Sequence, residues 1–292
     1  MDCVLVLIAA PGSGAIGANV TGMLRGFGAG APRWLAEGEA LEVPDFAGRD
    51  DFLAAIAALP LDANLVPVAN RRKRLLVADM DSTMIEQECI DELGVAAGAG
   101  ERIKQITARA MRGELDFEDA LRERVRLLKG LDTGIIDTIL RERISLMPGA
   151  KTLVATMKAN GAHTALVSGG FTPFTSKVAG ALGFDEHQAN GLIVADGLLT
   201  GEVDSPILGQ QAKLDALRRI SARLGISTAD ALAVGDGAND LAMIGEAGMG
   251  VALHAKPQVQ ALAKLRVNHG DLTAVLYLQG YEKAEFVGPQ LP

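Results

Sequence analysis

Apolar and polar positions alternate over short stretches in the first 70 residues and predict a small unit of strands and helices. A period of two indicates an extended segment, and apolar residues three or four apart indicate a helix. In chain order, the pattern predicts extended residues 3–9, helical 16–26, extended 34–43, helical 50–59 and a short strand 65–68. We interpret residues 1–70 as a small N-terminal α+β domain. The basic run 71–74 after it is interpreted as a solvated linker.

From residue 75 onward, buried strands alternate with amphipathic helices. The predicted strands are 75–78, 162–167, 231–234 and 249–253, and the predicted helices are 149–159, 209–224 and 239–247. A hairpin is expected over 192–203, with its turn at Asp196-Gly197. Strands that alternate with helices predict an α/β fold with a parallel sheet, in which ligands bind beyond the carboxyl ends of the strands.

Residues 86–146 carry helix-spaced apolar residues and no predicted strand. Two stripes follow helical spacing, namely Ile103, Ile106, Ala110 and Phe117, Leu121, Val125, Leu128. We therefore predict a helical insert over 86–146 within a second domain that covers 71–292.

Composition narrows the class of protein. Of the 292 residues, 49% are hydrophobic and 22% charged, which is typical of a globular chain and not of a disordered one. The 28 basic and 36 acidic residues leave a net charge of −8, so we expect no nucleic-acid partner, and any phosphate site must supply its own cations. Two cysteines make no disulfide framework and suit a reducing cytoplasm. The apolar opening is about half of the ~20 residues that a membrane-spanning helix needs, so no membrane partner is expected.

The strongest candidate chemistry is the pair Asp79 and Asp81, which directly follows the predicted strand 75–78. Residues two apart on a strand face the same way, so the two carboxylates are expected to converge at the strand end. Two such carboxylates repel each other, so their proximity indicates either a divalent cation between them or two different roles, one as nucleophile and one as general acid. Two turn aspartates, one of them capping the next helix, would give the same sequence.

Three further signals lie at strand ends or helix starts. Gly235-Asp236-Gly237-Ala238-Asn239-Asp240 follows a buried strand and offers oxygen ligands that suit Mg²⁺. Ser168-Gly169-Gly170 follows another strand and provides a hydroxyl and N–H groups for an anion. Lys213 lies in the first turns of a predicted helix, where a bound anion would compensate its charge. Taken singly, each also fits an ordinary turn or a surface lysine.

A glycine-rich stretch at residues 12–17 also follows a strand and opens a helix, as in dinucleotide sites. Only about 60 residues separate it from the second domain, which is too few for a doubly wound dinucleotide domain. We therefore do not expect NAD binding.

In this order, Asp79-x-Asp81-Ser82-Thr83, Ser168-Gly-Gly, Lys213 and Gly235-Asp-Gly-Ala-Asn-Asp240 resemble the four motifs of the haloacid dehalogenase-like superfamily. The second aspartate is typical of its phosphatases. More narrowly, the chain resembles the phosphoserine phosphatase family over roughly residues 75–280, including the stretches 86–92, 110–117, 121–125 and 168–171. The resemblance implies a Rossmann-like parallel sheet core of this type with the helical insert as its cap.

The resemblance implies a cytoplasmic phosphatase that hydrolyses O-phospho-L-serine, the last step of phosphorylated serine biosynthesis. Asp79 would be the nucleophile that forms an aspartyl phosphate, and Asp81 the general acid and base. Ser168 and Lys213 would hold the phosphoryl oxygens, with Gly169 and Asn239 beside them. Mg²⁺ would be bound by Asp79, the backbone carbonyl of Asp81, and Asp236, while Asp240 orients this group.

In the cap, the resemblance implies that Glu88 pairs with the ammonium of the substrate and Arg124 with its carboxylate. Met111 and Phe117 would form an apolar wall. The alternative substrate is another small phosphomonoester such as phosphoethanolamine, and the alternative class is a non-catalytic regulator that binds an amino acid through residues 1–70. Those residues resemble a degenerate ACT-type domain. The other interpretation is a packing or dimerisation module, which would make the protein a homodimer.

Overall fold

The computed structural model describes residues 2–288. Residues 2–70 form a four-stranded antiparallel sheet with strand order β2-β3-β1-β4 and two helices. The elements are β1 (Cys3–Ala9), α1 (Ala18–Gly26), β2 (Arg33–Ala36), β3 (Ala40–Pro44), α2 (Arg49–Ile56) and β4 (Leu61–Pro67). One face of the sheet packs on α1 and α2 through residues that include Leu5, Leu41 and Phe52.

The second part begins with the central strand β5 (Leu75–Ala78) and passes directly into a cap of four helices. These are α3 (Cys89–Ala96), α4 (Gly100–Met111), α5 (Phe117–Arg126) and α6 (Gly134–Glu142). Asp116 is the N-cap of α5 and accepts a hydrogen bond from the N–H of Asp119. The buried face of α5 includes Leu121 and Val125, as the helical stripe predicts.

The chain then returns to the sheet and completes it. In order, the elements are α7 (Ala150–Ala159), β6 (His163–Phe171), α8 (Thr172–Leu182), β7 (Glu186–Asn190), β8 (Leu192–Ala195), β9 (Leu198–Val203), α9 (Gln210–Arg223), β10 (Ala231–Gly235), α10 (Leu241–Glu246), β11 (Met249–Leu253), α11 (Pro257–Leu262), β12 (Leu265–Val267) and α12 (Ala274–Leu278). The hairpin β8–β9 turns at Asp196-Gly197, both at positive φ, and packs on α5.

The core sheet has the order β12-β11-β10-β5-β6-β7, and every neighbouring pair is parallel. Since β5 lies between β10 and β6, the carboxyl ends of these three strands share one edge beneath the cap. The predicted fold class is therefore confirmed: an α/β core with a helical cap and a small N-terminal antiparallel sheet. Within residues 2–288, no helix is both long and apolar enough to cross a membrane.

The N-terminal sheet docks on the core with its second face. Val6, Ile8 and Val66 belong to the same buried cluster as Leu276 and Tyr277 of α12. The Tyr277 hydroxyl donates to buried Glu39 at 2.7 Å, and Lys283 donates to the other oxygen of Glu39 at 2.6 Å. The parts of the chain before and after residue 70 therefore share one apolar core.

Several element boundaries differ from the predicted ones. The extended stretch 34–43 is two strands, β2 and β3, joined by a turn. Strand β4 begins at Leu61, four residues before the predicted start at residue 65. The apolar pattern does not reveal these residues because Asp62 and Asn64 are polar, although both occupy buried positions that face the core. Strand β6 continues through Ser168-Gly169-Gly170 to Phe171, so this motif lies within the strand end and not after it. The pattern also missed β7, α8, α11, β12 and α12.

Candidate active site

Asp79 lies one residue beyond β5, and its N–H still bonds to the carbonyl of Val234 at 3.0 Å. The side chain is only 5% exposed, and its Oδ1 is 2.6 Å from the Nζ of Lys213. Burial raises the pKa of Asp79 well above its usual range, and the neighbouring Asp240 and Asp81 add to this, while Lys213 opposes it. A buried carboxyl group is thus kept next to a buried cation.

Lys213 projects from α9 into this centre and is buried. Its Nζ lies 2.6 Å from Asp79 and 2.6 Å from Asp240. Burial alone would lower the pKa of Lys213, but the Asp240 and Asp79 carboxylates outweigh it and hold the pKa above its usual value. The charge of Lys213 near the start of α9 is therefore balanced by two carboxylates of the protein itself.

Asp81 is oriented by two donors. Its Oδ1 accepts the N–H of Cys89, the first residue of α3, at 2.8 Å, and its Oδ2 accepts the Ser168 hydroxyl at 3.1 Å. The Gly170 N–H in turn donates to the Ser168 oxygen at 2.8 Å. A Cβ at Gly170 would lie 2.7 Å from Oδ2 of Asp81, so only glycine allows this approach.

Asp79, Asp236 and Asp240 form a group of carboxylates whose oxygens lie within 4.8 Å of one another. Burial, with the charge of Asp240, raises the pKa of Asp236 to about 6. Asp236 accepts the Thr83 hydroxyl at 3.1 Å, and Asp240 accepts the Gly237 N–H at 3.0 Å. This crowding of negative charge around one lysine fits a divalent cation, which would neutralise it.

A cavity of about 590 Å³ opens over these residues, between the strand ends and the cap. Its lining contains ten of the predicted site residues, namely Asp79, Asp81, Glu88, Met111, Phe117, Arg124, Ser168, Gly169, Asp236 and Asn239. Lys213 bonds to both Asp79 and Asp240 from within the protein. The predicted set is thus gathered at one place.

Glu88 lies on the cap side of the cavity and is linked to residues 79–83, the loop that follows β5. Its Oε1 accepts the hydroxyl of Ser82 at 2.8 Å, and Ser82 is held at a φ of +54°. Burial, followed by the negative charge of Asp81, raises the pKa of Glu88 to about 7. An ammonium group in the cavity would stabilise the ionised form of this carboxyl.

Arg124 reaches the cavity from α5 as predicted, and it contacts protein groups only weakly. Its Nε donates to the carbonyl of Ala120 at 3.2 Å, and Nη1 donates to the Thr107 hydroxyl at 3.4 Å. Burial lowers the pKa of Arg124, while Glu88, Asp91 and Asp81 oppose this shift. The guanidinium is therefore near carboxylates and keeps donors for an anionic group.

Sequence reasoning assigned no role to several residues of this site. Thr83 and Ser82 belong to the first motif, and their hydroxyls next to two aspartates were the available signal. Asp91, Thr107 and Lys256 also line the cavity or contact its residues, but no local pattern singles them out.

Comparisons with known proteins agree with this geometry. A family model for haloacid dehalogenase-like hydrolases matches residues 76–245. The phosphoserine phosphatase of Streptomyces coelicolor is 45% identical over 231 residues, which are 78% of this chain and 56% of that protein. The phosphoserine phosphatase of Polaromonas sp. is 47% identical over 210 residues, 70% of this chain and 89% of that protein.

A solved structure extends the similarity to the N-terminal sheet. The probable phosphoserine phosphatase from Vibrio cholerae, in its unliganded form, superposes with a TM-score of 0.78 at 32% identity. The match covers 97% of this chain and 88% of that one. The chain spans little more than half of the Streptomyces relative and most of the other two. With the motif residues gathered at one sheet edge, the chain belongs to the haloacid dehalogenase-like hydrolases and, within them, to the phosphoserine phosphatase family of enzymes.

Proposed function

We propose that this protein hydrolyses O-phospho-L-serine to L-serine and phosphate through an aspartyl phosphate on Asp79. The observation that carries this proposal is the cavity itself. It combines a carboxylate, Glu88, and a guanidinium, Arg124, on the cap side with the Asp79–Asp81–Ser168 group on the sheet side. These are the complements of an ammonium, a carboxylate and a phosphate.

The chemistry follows from the positions of two aspartates. The Asp79 carboxylate attacks phosphorus, a bond forms between its oxygen and phosphorus, and the bond from phosphorus to the serine oxygen breaks. Asp81 gives its proton to that leaving oxygen. It then takes a proton from the water that attacks the aspartyl phosphate, which releases inorganic phosphate and restores Asp79.

Phosphate binding is assigned to four groups around Asp79. Ser168, the backbone of Gly169, and Asn239 line the cavity, and Lys213 is 2.6 Å from Asp79. Phosphoryl transfer depends mainly on alignment and neutralisation of charge, which hydroxyl, amide and ammonium donors provide.

Mg²⁺ is the cofactor we propose. Asp79, Asp236 and the backbone carbonyl of Asp81 would hold it, and Asp240 would orient the group through its bonds to Lys213 and Gly237. Bound there, the cation would neutralise charge on the phosphoryl group. Few carboxylates together with phosphate and water are the ligands that Mg²⁺ prefers.

Substrate choice is assigned to the cap. Glu88 would bind the ammonium and Arg124 the carboxylate of phosphoserine. Phe117 packs against Gly169, where a Cβ would come within 3.1 Å of its ring, and Met111 lines the outer part of the cavity. A phosphomonoester that lacks the carboxylate, such as phosphoethanolamine, would leave Arg124 without its partner.

The test is release of phosphate from phosphoserine, phosphoethanolamine and p-nitrophenyl phosphate, each with Mg²⁺, after chelation with EDTA, and after readdition of Mg²⁺ or Ca²⁺. We expect the highest kcat/KM for phosphoserine, loss of activity with EDTA and recovery with Mg²⁺. Ca²⁺ should not restore activity, because its larger and looser coordination misaligns the attack. Preference for phosphoethanolamine would overturn the assignment of phosphoserine as the substrate. Full activity after rigorous chelation would overturn the assignment of Mg²⁺ as the cofactor.

Two further expectations concern the setting of the enzyme. The thiols of Cys3 and Cys89 are free, which supports a reducing compartment such as the cytoplasm. A homodimer is the assembly that we propose to test by light scattering coupled to size-exclusion chromatography.

A further inference from the structure

A buried carboxylate outside the active site links the N-terminal sheet to the core. Asp62 of β4 is only 4% exposed. Its oxygens accept the backbone N–H groups of Asn268, His269 and Gly270 at 2.7, 3.0 and 2.8 Å. Burying a charge is costly unless it is hydrogen-bonded, and here three donors from one loop satisfy it.

Asn64, two residues along the same face of β4, extends this contact. Its side-chain amide donates to the carbonyl of Arg266 at 2.8 Å, and its oxygen accepts the N–H of Arg266 at 2.8 Å. The edge strand β4 therefore fixes the end of β12 and the loop after it by five hydrogen bonds. We call residues 266–273 the docking loop.

The far end of the docking loop contacts the second connection of the cap. The N–H of Leu272 donates to the carbonyl of Pro148 at 3.1 Å. Gly149 has a φ of +79°, and a Cβ there would lie 2.7 Å from the nitrogen of Thr273. The chain that leaves the cap is thus packed backbone to backbone against the docking loop.

From this connection, backbone hydrogen bonds continue to the catalytic loop. The N–H of Met147 donates to the carbonyl of Met84 at 2.9 Å, and the N–H of Met84 donates to Met80 at 2.8 Å. Met80 lies between the two catalytic aspartates. Asp62 and the active site are therefore joined through the cap hinge, formed by residues 84–85 and 146–149.

The docking loop also contacts the segment that leads to the rim of the cavity. The ring nitrogen Nε2 of His254 lies 2.8 Å from the carbonyl oxygen of Gly270, and the N–H of His254 donates to Val267 at 2.7 Å. His254 has a φ of +44° and precedes Lys256, a lining residue of the cavity, by two positions. The loop thus contacts the hinge and, through His254, the segment that leads to Lys256 at the rim.

We propose that Asp62 is a positioning residue for the phosphatase reaction. By fixing the docking loop, it sets the position of the cap hinge and so the distance of Glu88 and Arg124 from Asp79. This inference rests on the proposed function, because it concerns the cap residues that would bind the serine part of the substrate. It gives the N-terminal sheet a role in substrate recognition without any contact with the substrate.

The test compares Asp62→Asn and Asp62→Ala with Asp45→Asn, which changes an exposed carboxylate of the same unit that pairs with Arg49. Coupling through packed elements typically changes an equilibrium by about two- to thirty-fold. We expect kcat/KM for phosphoserine to fall by that factor in Asp62→Ala, mainly through KM, and less in Asp62→Asn, which keeps one acceptor oxygen. The value for p-nitrophenyl phosphate, which lacks the ammonium and carboxylate, should stay unchanged, and Asp45→Asn should match wild type for both substrates.

Hydrogen exchange provides a second measurement. The amide of Leu272 should exchange faster in Asp62→Ala, because its bond to Pro148 depends on the loop, while the amides of β1 keep their protection. If Asp62→Ala does not fold, the same measurements on Asp62→Asn and Asn64→Ala are compared with wild type and Asp45→Asn. An unchanged ratio of kcat/KM for the two substrates in folded variants, whether both values stay as in wild type or both fall equally, would overturn the proposal. Absence of phosphoserine hydrolysis by wild type would instead contradict the proposed function.

Discussion

At the scale of single residues, the contact between Asp79 and Lys213 lies at the centre of the proposed chemistry. Asp79→Asn removes the proposed nucleophile but keeps the size of the side chain, so we expect turnover to fall below a few per cent of wild type with the fold intact. Asp81→Asn should differ in kind, because the nucleophile stays and the acid is lost. A burst of leaving group from p-nitrophenyl phosphate, without steady turnover, would identify that stalled aspartyl phosphate. Substantial steady activity of Asp79→Asn, with circular dichroism like wild type, would contradict the covalent mechanism.

At the same scale, Arg124 is the residue that we propose selects the substrate. A charge-assisted hydrogen bond to a carboxylate is worth about 1.5–3 kcal/mol, so Arg124→Ala should lower kcat/KM for phosphoserine by about 10- to 200-fold. The same change should scarcely affect phosphoethanolamine. Arg124→Lys should recover only part of the loss, because an ammonium does not make the planar two-pronged contact. The measurement is the ratio of kcat/KM for phosphoserine to that for phosphoethanolamine, in wild type and in the variants. An unchanged ratio would show that Arg124 is a structural residue of the cap.

The raised pKa of Glu88 predicts a pH dependence. Because burial and Asp81 raise this pKa to about 7, Glu88 is protonated below that pH in the free enzyme and has no charge for an ammonium. The ratio of kcat/KM for phosphoserine to that for p-nitrophenyl phosphate should therefore rise with pH up to about 7 and then level off. The second substrate corrects for titration of the phosphate and of Asp236. Glu88→Gln should make the ratio lower and independent of pH.

At the scale of elements, the cap depends on close packing between α3 and α4. A Cβ at Gly94 of α3 would lie 2.5 Å from the side chain of Ile103, which is fully buried on α4. Ile103→Ala should lower the free energy of unfolding by about 2–5 kcal/mol. The neighbouring and exposed Lys104→Ala is the matched control and should change it by less than about 0.5 kcal/mol. Urea unfolding measures both, and equal stabilities would contradict this packing.

The same scale separates what patterning predicts well from what it misses. The stripes of α4 and α5 and the strands β5, β10 and β11 follow regular apolar spacing, and the structure contains them. The prediction for strand β4 is too short, because Asp62 and Asn64 are polar although both are buried and bonded to the docking loop. A local pattern treats a polar residue as exposed, since it contains no information on a partner that lies 200 residues away.

At the scale of the whole molecule, the N-terminal sheet and the core form one apolar interior. Removing residues 1–70 keeps all four motifs but exposes the core surface against which Val6, Ile8 and Val66 pack, and it leaves three N–H groups without Asp62. We expect a chain that begins at Arg71 to unfold at a lower temperature and to aggregate, while any soluble fraction retains hydrolysis of p-nitrophenyl phosphate. Thermal unfolding and light scattering would test this, and an unchanged melting temperature would show that the two units are independent.

The sequence by itself determined the class of fold and the identity of the chemical groups. Apolar runs followed by Asp79, Ser168 and Asp236 are local features, and parallel strands bring their carboxyl ends to one edge whatever the other details are. Only the tertiary structure decided how the groups are paired. Lys213 bonds to two carboxylates, Ser168 orients Asp81, and Asp62 is bound by a loop more than 200 residues away, because these contacts depend on distances between elements that are remote in the chain.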